Sequence, residues 1–352
     1  MHIGWGVTAL IVGLSGIAPA AWSQLAPSPD APPVSTAPAQ PIEEESVATF
    51  KLNVNLVDLF FTVKDKNGNL VPHLTKDDCT VSEDKVPQTL KSFVAETHQP
   101  LTLGILLDTS GSQQRVLPLE QDAGSQFLER VIKSKDEAFL LSFDVNVDLL
   151  QDYTNNTHLL ARAMSKAEIN TAGGNGAAGI PGAGGGTIPT IGTPKGTLLY
   201  DAVYLAAREK MNQETGRKAM ILLTDGEDEG SRTKITEAIA AAQRSNVIIY
   251  TILIADRGFY GSWGYSGYSA MKKMTEETGG RLIDVGNNGK KLEAAFSQIE
   301  DELRTQYVAS YTPSNLKQDG GFRHISVECR GDGLKVLTRK GYFAPGAQSD
   351  QK

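Results

Sequence analysis

The chain has 352 residues, 40% of them hydrophobic, and a net charge of −7. That length is ample for one large domain with a smaller companion. The acidic balance, with no block of basic residues, leaves no electrostatic footprint for nucleic acid.

Residues 1–23 have an apolar core from Val7 to Ile17, too short to span a bilayer, then small residues ending Ala21-Trp22-Ser23. This pattern reads as a cleaved secretory signal. The segment before the core has His2 and no Lys or Arg, so a retained anchor stays open, while the lack of a cysteine near the cleavage point argues against a lipid anchor. No other segment reaches ~18 consecutive apolar residues, so the mature chain is expected to be secreted or periplasmic and not membrane-spanning. Residues 24–46 are rich in Pro, Ala and Ser, end in Glu43-Glu44-Glu45, and read as a disordered tether.

In residues 47–98 the pattern becomes alternation. Leu52, Val54 and Leu56 lie in one phase and Val57, Leu59, Phe61 and Val63 in the other, which predicts a long strand with a bulge. Asn67-Gly68 predicts a hairpin turn, and 79–82 and 89–94 predict further short strands.

Residues 99–305 carry alternating strand and helix signals. The runs 101–107, 219–224 and 247–254 are continuously apolar, as for parallel strands covered on both faces. Residues 137–153 alternate and turn near Asn146, predicting an antiparallel edge. The last helix has Leu292, Ala295, Phe296, Ile299 and Leu303 on one stripe, which reads as core packing.

In residues 306–343 strands are predicted at 307–311, 322–330 and 334–343, followed by a tail over 344–352. The two flanking sets are expected to build one small β-sandwich with the α/β domain inserted between its halves; the alternative is that each packs separately on that domain. Export also sets the reading of Cys79 and Cys329, which sit on inward positions with Val81 and with Ile325 and Val327. A disulfide between them is favoured; the alternative is two buried thiols. Two isolated cysteines with scattered histidines give no zinc-ligand spacing.

The chemistry-bearing residues cluster at predicted strand ends. The first apolar run of the α/β region leaves as Asp108-Thr109-Ser110-Gly111-Ser112, a D-x-S-x-S loop offering one carboxylate and two hydroxyls. In open parallel sheets, ligands sit just beyond such strand ends. Run 219–224 ends in Asp225-Gly226, a second carboxylate, and Gly196-Thr197 places a hydroxyl where a glycine-rich loop turns into a helix. All are hard oxygen donors, suited to Mg²⁺ or Mn²⁺.

In that order, Asp108, Ser110, Ser112, Thr197 and Asp225 resemble the metal-ion-dependent adhesion site of von Willebrand factor A domains. More narrowly, V-x-L-V-x-L at 54–59, K-D-K-N-G at 64–68 and R-K-G-Y-F at 339–343 resemble the secreted bacterial von Willebrand factor A-related family. The resemblance implies a doubly wound, Rossmann-like α/β domain over 99–305 and a Mg²⁺ or Mn²⁺ ion held by those five residues. The glycine-rich stretch between Ile169 and Thr197 departs from the pattern as a long insertion.

Two carboxylates against a doubly charged ion leave a replaceable water, so the expected function is capture of an Asp or Glu from a partner protein. The alternative is a structural or assembly component of an envelope or secreted complex, in which the ion only ties loops together. Residues 256–268 carry Phe259, Tyr260, Trp263, Tyr265 and Tyr268 among Gly and Ser, the composition of an adaptable contact surface. Gly174-Asn175-Gly176-Ala177-Ala178-Gly179 fits G-x-G-x-x-G as a string but has no strand before it, so a dinucleotide site is not expected. Glu227-Asp228-Glu229 reads as a solvated approach to a helix. With no G-x-S-x-G, H-E-x-x-H or phosphate loop, and no evident general base, no enzyme is expected, hydrolysis being the runner-up.

Overall fold

The computed structural model describes residues 56–95, 99–169, 196–255 and 267–346. The expected signal and tether lie outside the described residues, as do most of the glycine-rich insertion and most of the aromatic loop. From Val57 the chain lays down β1 (Val57–Lys64), β2 (Cys79–Glu83), β3 (Val86–Pro87) and β4 (Leu90–Ala95). An alternation of strand and helix follows: β5 (Leu101–Asp108), α1 (Leu117–Val131), β6 (Glu137–Phe143), β7 (Val147–Thr154) and α2 (Thr157–Met164). It continues with α3 (Leu199–Leu205), β8 (Arg217–Thr224), α4 (Ile235–Arg244), β9 (Ile248–Leu253), α5 (Gly267–Thr278), β10 (Leu282–Asp284) and α6 (Gly289–Arg304). The last strands are β11 (Tyr307–Tyr311), β12 (Phe322–Cys329), β13 (Lys335–Thr338) and β14 (Gly341–Phe343).

The central sheet has the order β10-β9-β8-β5-β6-β7, parallel throughout except for the antiparallel edge strand β7. Its inner strands are buried from end to end because helices cover both faces. Leu103, Ile105 and Leu107 of β5 join Phe127 of α1 and Phe296 of α6 in one core, whose two rings stack with centroids 4.7 Å apart. Leu106 faces the opposite core with Val203 of α3, Ile239 of α4 and Met274 of α5. Gly104 on that strand is a packing requirement, since a Cβ there would lie 2.6 Å from Phe139 Cζ. The strand order reverses between β5 and β8, so the carboxyl ends of these two neighbours flank the crevice where doubly wound sheets hold ligands.

The eight flanking strands form two four-stranded sheets, β13-β1-β11-β4 and β14-β12-β2-β3. One core joins them: Leu59, Phe61 and Val63 of β1 and Tyr307 and Tyr311 of β11 meet Val81 of β2 and Ile325 and Val327 of β12. Both sheets mix strands from the two ends of the chain. Cys79 and Cys329 face each other across β2 and β12 and are disulfide-bonded, their Cα atoms 4.0 Å apart.

Two details differ from the alternation in the sequence. The stretch read as one strand over 334–343 is two, β13 pairing with β1 and β14 with β12 in the other sheet. On β1, Phe60 and Thr62 are also buried. Phe60 and Val308 belong to the α/β core, so this sheet is covered on both faces. Beside them Glu302 of α6, 1% exposed, forms ion pairs with Lys64 of β1 and Arg281, each at 2.7 Å.

Candidate metal centre

Asp108 closes β5 and is fully buried. Parallel pairing sets Leu107 beside Leu223, which brings Thr224 of β8 alongside Asp108. The Thr224 hydroxyl donates to Asp108 Oδ2 at 2.6 Å and accepts from the Gly226 N–H at 2.9 Å. On the other oxygen, Asp108 Oδ1 accepts from the Ser110 N–H at 3.0 Å. A 3-10 turn over Gly111–Gln113 then brings Ser110 Oγ and Ser112 Oγ within 3.0 Å of each other. Asp225, 1% exposed, accepts from the Glu227 N–H at 3.1 Å. Burial and then the neighbouring Asp225 charge push the Asp108 carboxyl up to about 7.

Thr197 reaches the same end of the sheet through backbone. Its N–H and C=O pair with Glu229 at 2.9 and 3.0 Å, tying it to the loop after Asp225. The next residue, Leu198, donates its N–H to Asp144 C=O at 2.8 Å, and Asp144 Oδ2 accepts from the Thr109 hydroxyl at 2.9 Å. Three loops carrying Asp108, Thr197 and Asp225 are therefore laced together by direct hydrogen bonds.

In the acidic run after Asp225, Glu229 is exposed, as read from the sequence, while Glu227 and Asp228 are half-buried and also bind neighbouring loops. Asp228 accepts from the Tyr200 N–H at 3.0 Å and the Ser231 hydroxyl at 2.6 Å, while Glu227 accepts from the Gly267 N–H at 2.8 Å. These carboxylates hold the starts of α3 and α5, a role that a charge run in the sequence does not display. Of the aromatic loop, Phe259, Tyr260, Trp263 and Tyr265 lie outside the described residues; Tyr268, in the first turn of α5, is 43% exposed.

Three residues next to this cluster escaped the motif reading. Thr224 is one; the others are Gln113, whose Nε2 lies 3.4 Å from Ser112 Oγ, and Glu120 in the first turn of α1. Glu120 was legible as a charge on the apolar stripe formed by Leu117, Ala123, Phe127 and Val131.

Together the sheet order, the antiparallel edge and the D-x-S-x-S loop at the crevice decide the assignment. The fold is of the von Willebrand factor A type. Among solved structures similar to this chain is the conserved hypothetical protein BatB from Bacteroides thetaiotaomicron, at 16% identity over 58% of this chain and 99% of that one, with a TM-score of 0.43. Another is the vWF domain of a type V pili tip protein from Porphyromonas gingivalis, at 13% identity over 60% and 96% of the two chains, TM-score 0.42. A third is proximal thread matrix protein 1 from the mussel byssus with a zinc-occupied MIDAS motif, at 14% identity over 63% and 50%, TM-score 0.45. No protein-family model and no curated protein matches the sequence. The topology and the loop residues, not these overlaps, carry the assignment.

Among the described residues, no three His, Cys, Asp or Glu side chains converge as metal ligands. The loops carrying Asp108, Ser110, Ser112, Thr197 and Asp225 instead offer two carboxylates with hydroxyls, and that donor set fits a hard divalent cation. The Asp108 carboxyl, pushed up by burial and then by the neighbouring Asp225 charge, is what such an ion would relieve. Replacing Thr224 with Val, which keeps shape but removes the hydroxyl, is expected to lower metal-free stability by about 1–3 kcal/mol. Urea unfolding in EDTA measures it, and an unchanged midpoint would show that the Thr224–Asp108 bond does not hold the loop.

Proposed function

We propose that this protein is an extracytoplasmic binding module in which Asp108, Ser110, Ser112, Thr197 and Asp225 hold Mg²⁺ or Mn²⁺, and the ion captures a carboxylate from a partner protein. The observation that carries this reading is the pair of buried carboxylates, Asp108 and Asp225, at adjacent strand ends with serine hydroxyls beside them. An ion held by two carboxylates keeps exchangeable waters, and an Asp or Glu side chain replaces one of them. Zinc is the less suited occupant, because no imidazole or thiolate belongs to the donor set. The exposed Tyr268 offers an aromatic edge for the protein that supplies the carboxylate. Export is supported by the Cys79–Cys329 bond, since disulfides persist outside the reducing cytoplasm.

The test is calorimetric titration of the full chain with Mg²⁺ and Mn²⁺, followed by capture of Asp- and Glu-bearing peptides from a library whose Asn and Gln counterparts serve as controls. Saturable metal binding, with peptide capture that is abolished by EDTA and absent for the amide controls, is the expected result. Peptide capture that persists in EDTA would overturn the metal-bridge reading and favour an assembly role for the β-sandwich.

A further inference from the structure

Glu120 occupies a place where a glutamate has no ordinary reason to be. It lies on the inward stripe of α1, is 0% exposed, and neither of its carboxylate oxygens has a hydrogen-bond partner. A buried carboxylate without partners is among the costliest arrangements in a protein interior, and replacing it with an apolar side chain of similar size generally costs nothing. Its neighbours make the position less favourable still. Burial, and after it the charges of Asp108 and Asp225, hold its carboxyl well above the usual carboxylate range. Backbone hydrogen bonds tie it to the loop already described: the Gln113 N–H donates to Ser110 C=O at 3.0 Å, the Val116 N–H to Gln113 C=O at 3.0 Å and the Glu120 N–H to Val116 C=O at 3.1 Å.

The chemistry of these buried atoms defines what would satisfy them. Both Glu120 oxygens are acceptors, and Gln113 Oε1, on the side chain that reaches Ser112, is likewise buried without a partner. What these atoms lack is a donor. Glu120 does not converge with the two aspartates as a direct ligand, for no three acidic side chains do so among the described residues. A water held by a divalent cation supplies what is needed: its oxygen is turned to the metal and its two O–H groups point outward as strong donors. The cation at the same time offsets the negative charge of all three carboxylates.

We propose that Glu120 is the third carboxylate of the metal centre, an outer acceptor for water carried by the cation. This rests on the metal reading above and goes beyond it. The five-residue site accounts for what touches the ion, whereas Glu120 sets how strongly the loops demand one. It acts as a positioning residue, holding the water that orients the coordination shell and supplying charge from the α1 side. Partners of this kind change metal affinity by about 10–100-fold when removed, without being ligands themselves.

The experiment compares the full-length wild type with Glu120→Gln and Glu120→Met, using Mn²⁺ as the probe. Calorimetry reads affinity, and thermal unfolding in EDTA and in excess Mn²⁺ reads metal-free stability and its gain. Both variants are expected to bind Mn²⁺ about 10–100-fold more weakly, yet to unfold in EDTA at or above the wild-type temperature. A merely structural residue would not produce this opposition. If either folded variant keeps wild-type Mn²⁺ affinity while Asp108→Asn loses it, the Glu120 assignment falls and the five-residue site stands. If the wild type binds no Mn²⁺, both fall. Met at this position is apolar and of similar length, so it keeps the comparison open should the Gln variant fail to fold.

Discussion

Replacing Asp108 with Asn is expected to abolish Mn²⁺ binding while leaving the metal-free protein at least as stable as the wild type. The amide preserves the side-chain shape and keeps an acceptor for the Ser110 N–H, now 3.0 Å from Asp108 Oδ1. Its NH₂ group meets the Thr224 hydroxyl, which turns from donor to acceptor; a hydroxyl has lone pairs for both this contact and the Gly226 N–H. One charge leaves a buried pair of like charges, which removes repulsion in the metal-free protein. On the proposed reading the ion would also lose a carboxylate ligand, and the expected loss of affinity, beyond about 100-fold, exceeds that for an outer partner. In unfolding experiments the wild type should gain about 2.7 kcal/mol at a metal concentration one hundred times its Kd, and the variant should gain nothing. Wild-type Mn²⁺ affinity in the variant would remove Asp108 from the site.

The second large effect belongs to the disulfide. Cys79 and Cys329 are 250 residues apart in sequence. In the chain-entropy description, a cross-link closing so long a loop stabilises by about 5 kcal/mol, and losses of about 2–5 kcal/mol are usual when a native bond is removed. Cys79→Ser with Cys329→Ser is therefore expected to lose about 2–5 kcal/mol in urea unfolding, with hydrogen exchange rising first in β2 and β12, where the bond sits. The helix-covered central sheet should retain its protection longest. Equal unfolding midpoints for the wild type with and without reductant would show that strand pairing alone sets the stability of the sandwich.

The central fold was legible because its strands are covered on both faces and so read as unbroken apolar runs. Runs 101–107, 219–224 and 247–254 correspond to β5, β8 and β9, and the alternation over 137–153 to β6 and its antiparallel partner. The stripe of Leu292, Ala295, Phe296, Ile299 and Leu303 is buried along α6. The flanking strands were harder to place, because period-two patterning names the buried face but not the sheet. Residues 334–343 keep one pattern while changing partners between β13 and β14, and Phe60 is buried only because a second domain core covers what looked like the open face of β1. At the site, a motif names side chains but not their supports. Asp108, Ser110 and Ser112 stand in a recognisable string, whereas Thr224 acts through a register between two strands and Glu120 through a helix packed above them. The loop-binding work of Glu227 and Asp228 was hidden because an acidic run looks the same in sequence whether its acceptors meet water or buried N–H groups.

The way the chain leaves and re-enters the sandwich has a mechanical consequence. The β2–β12 disulfide joins residues 250 positions apart on either side of the whole α/β domain, so the chain between them forms a covalently closed loop. A pull applied to the chain before Cys79 and after Cys329 passes through the sulfur–sulfur bond and not through the central sheet. Tension on a tethered molecule would load the sandwich strands outside the bond, β1 and β14 among them, while the loops around Asp108 and Asp225 feel force only from whatever they have captured.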